Sequence, residues 1–396
     1  MSSPFDKIIV REGTSSLKYD GRGQTFGAPD VQPMWVADMD FAAPEAVSKA
    51  LLARAEHAVY GYTMAPDSVF DALIDWMREH HAWNIKREWI VLTPGVVSSL
   101  NMSVLALTKE NDGVIVQPPV YFPFFSAAQN AGRRLIENPL FLQEDGLGHS
   151  QYQIDFEHLE ACANKAKMLL LCSPHNPVGR VWTKDELAKL LAIAKRHDLI
   201  VLADEIHADL VYSDAKHHTL GALAGDDWPI ITAIAPSKTF NIPGLGLSAL
   251  IIPNEGHRKA IQKQLTLTGV SVTNPFSLVA FEAAYREGDE WLKALLSYLE
   301  ETRDKVQIYV KKHLPKISVI HTQGTYLLWL DCRKLGMNEQ QLHQFFTQEV
   351  NLGLSPGTLF GKGGEGFMRM NIATPRANVM GALERLTAAI NNFSDL

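Results

Sequence analysis

Three polar side chains each follow a run of apolar residues that has the character of a buried strand. Lys238 comes after the run at residues 230–235, and Asn176 and Asp204 come after two earlier runs. A lysine amine held away from water attacks carbonyl carbons and forms Schiff bases. An aspartate beside buried apolar residues is costly unless a positive group pairs with it. We therefore expect these residues to form one reactive site.

The combination of lysine, aspartate and asparagine predicts a cofactor. Pyridoxal 5'-phosphate (PLP) is bound through its aldehyde by a lysine, and its ring nitrogen needs an acidic partner. Lys238 and Asp204 can supply these groups, and Asn176 can donate a hydrogen bond to the ring hydroxyl oxygen. Each residue alone has an ordinary explanation, as a surface lysine, a helix N-cap or a turn asparagine. Their occurrence together favours the PLP site.

The middle of the chain alternates apolar strands with amphipathic helices. Thr183 and Glu186 have the spacing of a capping box, and Leu187 and Leu190 then recur at helical spacing. Near-continuous apolar runs are typical of strands that helices cover on both faces. Such runs lie at residues 114–116, 168–171, 199–203 and 249–252. This order predicts right-handed strand–helix–strand units and an α/β fold with a mainly parallel sheet between helices.

The predicted sheet also places the reactive residues relative to one another. In sheets of this kind, ligands bind beyond the carboxyl ends of the strands. Asn176, Asp204 and Lys238 each follow such an end. The three side chains should therefore meet at one edge of the sheet.

The C-terminal part of the chain has a different pattern. One long charged helix is predicted at residues 290–313, and strand-like segments follow at 317–321, 326–330 and 367–372. Strands mixed with helices indicate a smaller α+β domain. We predict a large α/β domain at residues 46–285, and a small domain made of residues 1–45 together with 286–396.

Composition and charge exclude several classes of protein. The chain has 396 residues, of which 46% are hydrophobic and 20% are charged, which is ordinary for a globular protein. The formal net charge of -7 argues against nucleic acid as a main partner. No stretch approaches the roughly 18 apolar residues of a membrane span, and the first residues lack a secretory pattern. The three cysteines have no close-spaced pair, so we expect reduced thiols and a cytoplasmic protein.

Two pairs of neighbouring histidines could suggest a metal site. They lie at residues 80–81 and 217–218, and neither pair has partner ligands at the spacing of a zinc site. We therefore predict solvated histidines and no metal.

Five motifs in the chain resemble those of a known family. They are Trp-Val-Ala-Asp-Met-Asp-Phe at 35–41, Tyr-Gly-Tyr-Thr at 60–63, Ser-Pro-His-Asn-Pro-Val-Gly at 173–179, Asp-Glu-Ile-His at 204–207 and Ala-Pro-Ser-Lys-Thr-Phe-Asn at 235–241. Their order resembles the fold-type-I PLP-dependent enzymes, the aspartate aminotransferase superfamily. Within it, the chain is most similar to the MalY/PatB-type C–S lyases. The resemblance implies the PLP-dependent transferase fold, with a mainly parallel sheet sandwiched by helices and a smaller α+β domain.

The resemblance assigns roles to the residues around the cofactor ring. Lys238 would hold PLP and later move the Cα proton, and Asp204 would keep the ring nitrogen protonated. Asn176 would bind the ring hydroxyl oxygen. His207 would contact the same oxygen, where many relatives have a tyrosine, although a core histidine is an alternative. Tyr121 would stack on the ring, although four aromatic residues compete within its run.

Other residues are implied for the phosphate group of the cofactor. Backbone amides at the start of a helix suit a phosphate. The residues predicted to hold it in this way are Gly95, Val96 and Val97. Ser237 would add a hydroxyl contact, and Tyr62 would reach the phosphate of a neighbouring subunit, so the active site would require a homodimer. Many relatives also have an arginine eight residues after the lysine, and this chain has Gly246 there.

Arg369 is the predicted partner of the substrate carboxylate. Alternation along residues 367–372 places Met368 and Met370 on one face of a strand and Arg369 on the other. The guanidinium group offers a planar fork to a carboxylate. The resemblance places the carboxylate-binding arginine at this position, whereas a solvent-facing arginine is the ordinary alternative.

The resemblance predicts a PLP-dependent C–S β-lyase that acts on a small sulfur-containing amino acid. Elimination from cystathionine would give homocysteine, and elimination from cysteine would give sulfide, with pyruvate and ammonia in both cases. An aminotransferase is the first alternative, because the same residues serve both reactions. A regulatory protein-binding role in addition to catalysis is the second.

Overall fold

The computed structural model describes residues 3–144, 150–226 and 228–394. The strands are β1 (Gln32–Pro33), β2 (Ile90–Thr93), β3 (Gly113–Val116), β4 (Arg134–Glu137), β5 (Phe141–Glu144), β6 (Ser150–Gln153), β7 (Met168–Cys172), β8 (Ile200–Asp204), β9 (Ile230–Ile234), β10 (Ser248–Ile251), β11 (Ser318–Val319), β12 (Leu327–Asp331), β13 (Leu352–Gly353), β14 (Ser355–Pro356) and β15 (Phe367–Asn371). The α-helices are α1 (Leu17–Asp20), α2 (Arg22–Phe26), α3 (Glu45–Glu56), α4 (Asp67–His81), α5 (Val96–Leu107), α6 (Pro123–Gln129), α7 (Phe156–Ala163), α8 (Lys184–Arg196), α9 (Leu220–Ala224), α10 (Pro236–Thr239), α11 (Glu255–Leu267), α12 (Pro275–Glu287), α13 (Asp289–His313), α14 (Glu339–Gln344) and α15 (Arg376–Ser394).

The central sheet has the order β2-β10-β9-β8-β7-β3-β4. Strands β9, β8, β7, β3 and β4 run parallel, and β10 runs antiparallel to both of its neighbours. Every residue of β7, β8 and β9 is buried, which explains why their sequences are apolar without alternation. The predicted mainly parallel α/β sheet is confirmed.

Helix α8 joins β7 to β8 and shows why two of the predicted residues share an edge. The Thr183 hydroxyl accepts a hydrogen bond from the Glu186 amide (3.2 Å), and the Glu186 carboxylate accepts one from the Thr183 amide (2.7 Å). This capping box begins the helix where the sequence predicts it. Leu187, Leu190 and Ile193 bury its apolar face. The crossover returns the chain to the amino end of β8, so that Asp204 finishes beside the end of β7.

A second sheet has the antiparallel order β11-β12-β15-β14. The predicted helix at 290–313 is present as α13, and the strand predicted at 317–321 is reduced to β11. Strand β1 pairs in parallel with β13, so the N-terminal segment lies with the C-terminal part. We propose the division into residues 46–285 and residues 1–45 plus 286–396 on this basis. Limited proteolysis that cut only inside these units would contradict it.

Neither a membrane-spanning helix nor a metal-binding cluster is present among the described residues. None of the helices described combines the length and apolar character that crossing a membrane requires. Within the same residues, no cluster of three or more histidine, cysteine, aspartate or glutamate side chains could hold a metal ion.

Candidate active site

Lys238 lies in α10, immediately after β9 ends. Pro236 occupies the start of this short helix, where a missing N–H costs nothing. The Lys238 amine donates a hydrogen bond to the Ala37 carbonyl oxygen at 2.5 Å. Burial, together with the positive charge of Arg369, lowers the pKa of Lys238 to about 8. An appreciable fraction of this amine is therefore unprotonated near neutral pH, as a nucleophile or a base requires.

Asp204 is the last residue of β8 and is only 4% exposed. The Ile206 amide donates a hydrogen bond to its carboxylate at 3.1 Å. Burial raises the pKa of Asp204 to about 7. A carboxylate at such a site gains most from a cationic partner, because charge is costly to bury alone.

Arg369 reaches the same region from β15. Its Nη1 donates to the Asn176 side-chain oxygen (3.1 Å), and its Nη2 donates to the Trp35 carbonyl oxygen (2.7 Å) and to the Ser355 hydroxyl (3.3 Å). The guanidinium carbon lies 4.8 Å from the centre of the Phe360 ring. Arg369 is 6% exposed, so the solvent-facing alternative is wrong, and burial lowers its pKa to about 10. Among the described residues, its buried Nε has no hydrogen-bond partner.

A cavity of about 260 Å³ opens at the carboxyl edge of the central sheet. Most of the residues predicted for a cofactor line it: Lys238, Asp204, Asn176, His207, Tyr121, Gly95, Val96, Val97 and Ser237. The prediction that Asn176, Asp204 and Lys238 meet at one edge is confirmed. Arg369 does not line the cavity itself but donates a hydrogen bond to Asn176, which does.

One end of the cavity is formed by the start of α5. Gly95 is the N-cap, and no side chain caps the first turn, so the first amides of the helix are open to an anion. Ser237 also lines the cavity. Gly246 has a left-handed backbone (φ 49°), and a Cβ added there would lie 3.3 Å from the Pro94 carbonyl oxygen. A side chain would therefore be strained in this conformation, so an arginine cannot replace Gly246 without a change of the backbone.

His207 and Tyr121 line the remaining walls. Burial, helped by the charges of Lys238 and Arg369, lowers the pKa of His207 to about 3, so the ring is neutral. Its buried Nδ1 has no partner among the described residues. The Tyr121 amide donates to the Asn176 carbonyl oxygen at 3.1 Å. This bond joins the loop at residues 117–122, called the aromatic loop, to the segment that follows β7. Burial raises the pKa of the Tyr121 hydroxyl.

Tyr62 does not line the cavity and, unlike Arg369, makes no hydrogen bond to a described residue that lines it. It is fully exposed, between α3 and α4, and Val59 and Met64 beside it are also exposed. Within one chain, the structure does not bring Tyr62 to the other site residues.

Several groups at the site were not predicted from the sequence. Ala37 lines the cavity, and its carbonyl oxygen also accepts a hydrogen bond from the Tyr326 hydroxyl (2.9 Å). Ser355 contacts Arg369, and Cys172 lines the cavity as a buried thiol whose pKa is raised by burial. The 35–41 motif is the only signal that pointed to Ala37, because a backbone carbonyl leaves no mark in residue type.

The prediction of solvated histidines is wrong for His81 and His217. The His81 Nε2 lies 2.8 Å from the Asp209 carboxylate, and the His217 Nε2 lies 2.9 Å from the Glu205 carboxylate. Both carboxylates are buried and need a partner, which local sequence spacing cannot reveal. The Asp209 carboxylate also accepts a hydrogen bond from Thr239, the neighbour of Lys238, at 2.9 Å.

The fold and the site together define a class of protein. A mainly parallel sheet that gathers a lysine, an aspartate and an asparagine at its carboxyl edge, with a smaller antiparallel sheet supplying an arginine, is the aspartate aminotransferase-like fold. The family model described as aminotransferase class I and II matches residues 34–386, and the chain belongs to this family.

Several characterised relatives and structures are similar over nearly the whole chain. Cystathionine beta-lyase PatB of Bacillus subtilis is 41% identical over 390 residues, which cover 98% of this chain and 100% of that protein. Protein MalY of Escherichia coli is 32% identical, with 98% of each chain covered. The crystal structure of cystalysin from Treponema denticola, which contains a PLP cofactor, has a TM-score of 0.94 at 36% identity and covers 99% of this chain and 100% of that one.

Proposed function

We propose that this chain is a PLP-dependent C–S β-lyase. It would cleave cystathionine or a cysteine-type amino acid by α,β-elimination to a thiol, pyruvate and ammonia. The observation that carries the proposal is the cavity in which Lys238, Asp204 and Asn176 meet beside Arg369. The substrate class rests on the name of the PatB relative, to which the chain is similar from end to end.

The residues of the cavity fit PLP. The buried Asp204 carboxylate suits a protonated ring nitrogen, and the open amides of α5 with Ser237 suit the phosphate. Lys238 has the lowered pKa of an amine that attacks an aldehyde. When bound, the cofactor would supply an electron sink for the charge left on Cα after proton removal.

The residues of this chain then have separate tasks. Arg369 would hold the substrate carboxylate through its Nε–H, which has no hydrogen-bond partner among the described residues. Lys238 would take the Cα proton, and the sulfur would leave from Cβ as a thiolate with the electron pair of the broken C–S bond. The thiolate would then take up a proton to give the thiol. The remaining unsaturated amine takes up water and gives pyruvate and ammonia. Tyr121 and the aromatic loop would exclude bulk water from the reacting atoms.

An aminotransferase is the alternative that the family description favours. Both reactions begin with removal of the Cα proton by Lys238. They diverge afterwards, because a lyase releases a thiol from Cβ, whereas an aminotransferase passes the amino group to a keto acid. No residue named above belongs to one route alone.

One assay separates the two activities. Incubation of the purified, PLP-loaded protein with cystathionine and no keto acid is expected to release pyruvate and free thiol in equal amounts. Turnover that requires an added keto acid, and that releases no thiol, would overturn the lyase proposal in favour of the aminotransferase. Serine in place of cystathionine serves as a control for β-elimination without sulfur.

We infer that the active enzyme is a homodimer in the cytoplasm. The exposed side chains of Val59, Tyr60, Tyr62 and Met64 are an apolar group that a second copy could cover, and Tyr62 would then reach the partner's phosphate site. Light scattering should give twice the mass of one chain.

A Tyr62→Ala variant should stay dimeric but bind PLP about tenfold more weakly, as expected for one lost hydrogen bond to a charged group. A monomer with full PLP affinity would contradict the inference, and cell fractionation tests the compartment.

A further inference from the structure

The segment at residues 34–41, called the strap here, crosses the active site between Lys238 and Arg369. Its backbone carbonyl oxygens accept hydrogen bonds from both of these residues. Ala37 accepts from the Lys238 amine (2.5 Å), and Trp35 accepts from Arg369 (2.7 Å). The strap therefore contacts both the proposed base, Lys238, and the proposed binding partner of the substrate carboxylate, Arg369. The proposed reaction requires these two groups to be correctly placed relative to each other.

Two asparagines hold the strap, one from each side. The Asn371 side chain, two residues beyond Arg369, donates to the carbonyl oxygens of Val36 (2.6 Å) and Asp38 (2.7 Å). The Asn241 side chain, three residues beyond Lys238, accepts from the Met39 amide (2.9 Å) and donates to the carbonyl oxygens of Met39 (3.0 Å) and Phe41 (2.8 Å). Asn241 thus joins the Lys238 turn directly to the strap.

An ion-pair cluster fixes the outer side of the strap. Arg11 contacts Asp38 and Asp40, each at 2.7 Å, and the buried Lys18 contacts Asp40 at 3.0 Å. The cluster restrains the outer side of the strap, where Arg11 also donates to the Met39 carbonyl oxygen (3.2 Å), whereas Asn241 ties the strap to the Lys238 turn.

The backbone of Asn241 does not account for these contacts. Asn241 has a left-handed conformation (φ 56°), which asparagine tolerates better than most residues. The turn alone would be served by glycine, and it needs no side-chain hydrogen bonds. The three bonds that Asn241 makes all go to residues 39 and 41 of the strap.

We propose that Asn241 is a positioning residue, which holds the strap so that the Ala37 carbonyl oxygen orients the free amine of Lys238 toward the substrate Cα. The inference rests on the proposed role of Lys238 as the base. When Ala37 accepts one N–H of the amine, the lone pair is confined to the two remaining tetrahedral positions. Misplacement of a reacting group by about 1 Å can cost about 10²-fold in rate.

The test uses Asn241→Gly, which keeps the backbone conformation and removes the side chain. Its first readout is hydrogen exchange at single amides in the cofactor-free protein. The Met39 amide loses its acceptor and should exchange at least about tenfold faster. The Cys332 amide, which lies outside the strap and donates to the Gly366 carbonyl oxygen (2.9 Å), should be unchanged and is the internal control.

The second readout is exchange of the α-proton of L-alanine with solvent deuterium by the PLP-loaded protein, followed by NMR. Alanine has no leaving group on Cβ, so this exchange reports proton removal alone. The variant should lose about tenfold or more in exchange rate at saturating alanine, with its KM within about threefold and its bound PLP unchanged. Asn111→Gly, at an exposed left-handed asparagine (φ 66°), is the matched control and should change neither readout.

The inference is overturned if Asn241→Gly exchanges the α-proton of alanine at the wild-type rate. It is also overturned if the exchange rate falls only in proportion to a loss of bound PLP. If Asn241→Gly fails to fold, Asn241→Asp removes the donors to Met39 and Phe41 and is judged by the same alanine exchange. A wild-type protein that exchanges alanine but does not cleave cystathionine would contradict the lyase proposal and leave this inference standing. A wild-type protein that exchanges no alanine proton overturns the inference.

Discussion

Replacing Lys238 by alanine is expected to lower turnover by about 10⁴-fold or more, because the variant loses both the nucleophile and the base. The amine lies at the end of β9, and its lowered pKa of about 8 comes from burial beside Arg369. No other lysine lines the cavity among the described residues. Pyruvate release from cystathionine measures the effect, and the visible absorbance of lysine-bound PLP should disappear with it.

A direct chemical experiment checks the same assignment. Borohydride reduction of the loaded wild-type protein, followed by peptide mapping, should find PLP attached to Lys238. Lys312→Ala, at an exposed position in the last turn of α13, is the matched control and should retain full activity and absorbance. Reduced cofactor on another lysine, or a Lys238→Ala variant that keeps the absorbance, would refute the assignment.

The sequence was sufficient for the central sheet and for the residues at its edge. Apolar strands and the capping box of α8 are local signals, and the handedness of the crossover is general, so the positions of Asn176 and Asp204 follow from them. Alternation along β15 likewise predicted the direction of Arg369. Arg369 is buried on the side away from Met368 and Met370, as the pattern requires.

Other features depend on contacts between distant parts of the chain, and the sequence did not predict them. His81 lies 128 residues from Asp209 in the sequence, and no local pattern near either residue predicts that they form a pair. Ala37 acts through its carbonyl oxygen, so its residue type carries no signal. Tyr62 is exposed in one chain, and its predicted role depends on a second copy of the protein.

The strap contains the motif at residues 35–41, one of the five that resemble those of the family, and the structure shows what its aspartates do. Asp38 and Asp40 are not among the residues that line the cavity. They form ion pairs with Arg11 and Lys18 instead. Their charges hold a backbone segment, and that segment supplies the carbonyl oxygen at Lys238. A motif that marks the family in sequence can therefore act as a structural support rather than as a source of catalytic side chains.

Replacing Arg369 by alanine is expected to lower kcat/KM for cystathionine by about 10²–10³-fold, because truncating one member of a buried charge pair costs about 3–4 kcal/mol. Asn176, Trp35 and Ser355 fix the guanidinium plane, and its Nε is left for the substrate. Steady-state kinetics measures the effect. Arg369→Lys should recover only part of the loss, because an ammonium group cannot form the planar fork.

A substrate without the carboxylate isolates the contact itself. Wild-type protein should cleave the α-amide of cystathionine about as poorly as Arg369→Ala does, and the variant should discriminate little between the acid and the amide. Arg333→Ala is the matched control: it removes an exposed arginine paired with Asp331 next to the same sheet, and it should leave kcat/KM unchanged. If Arg369→Ala still preferred the acid as strongly as wild type does, another cation would bind the carboxylate and Arg369 would serve only to hold Asn176 and the strap.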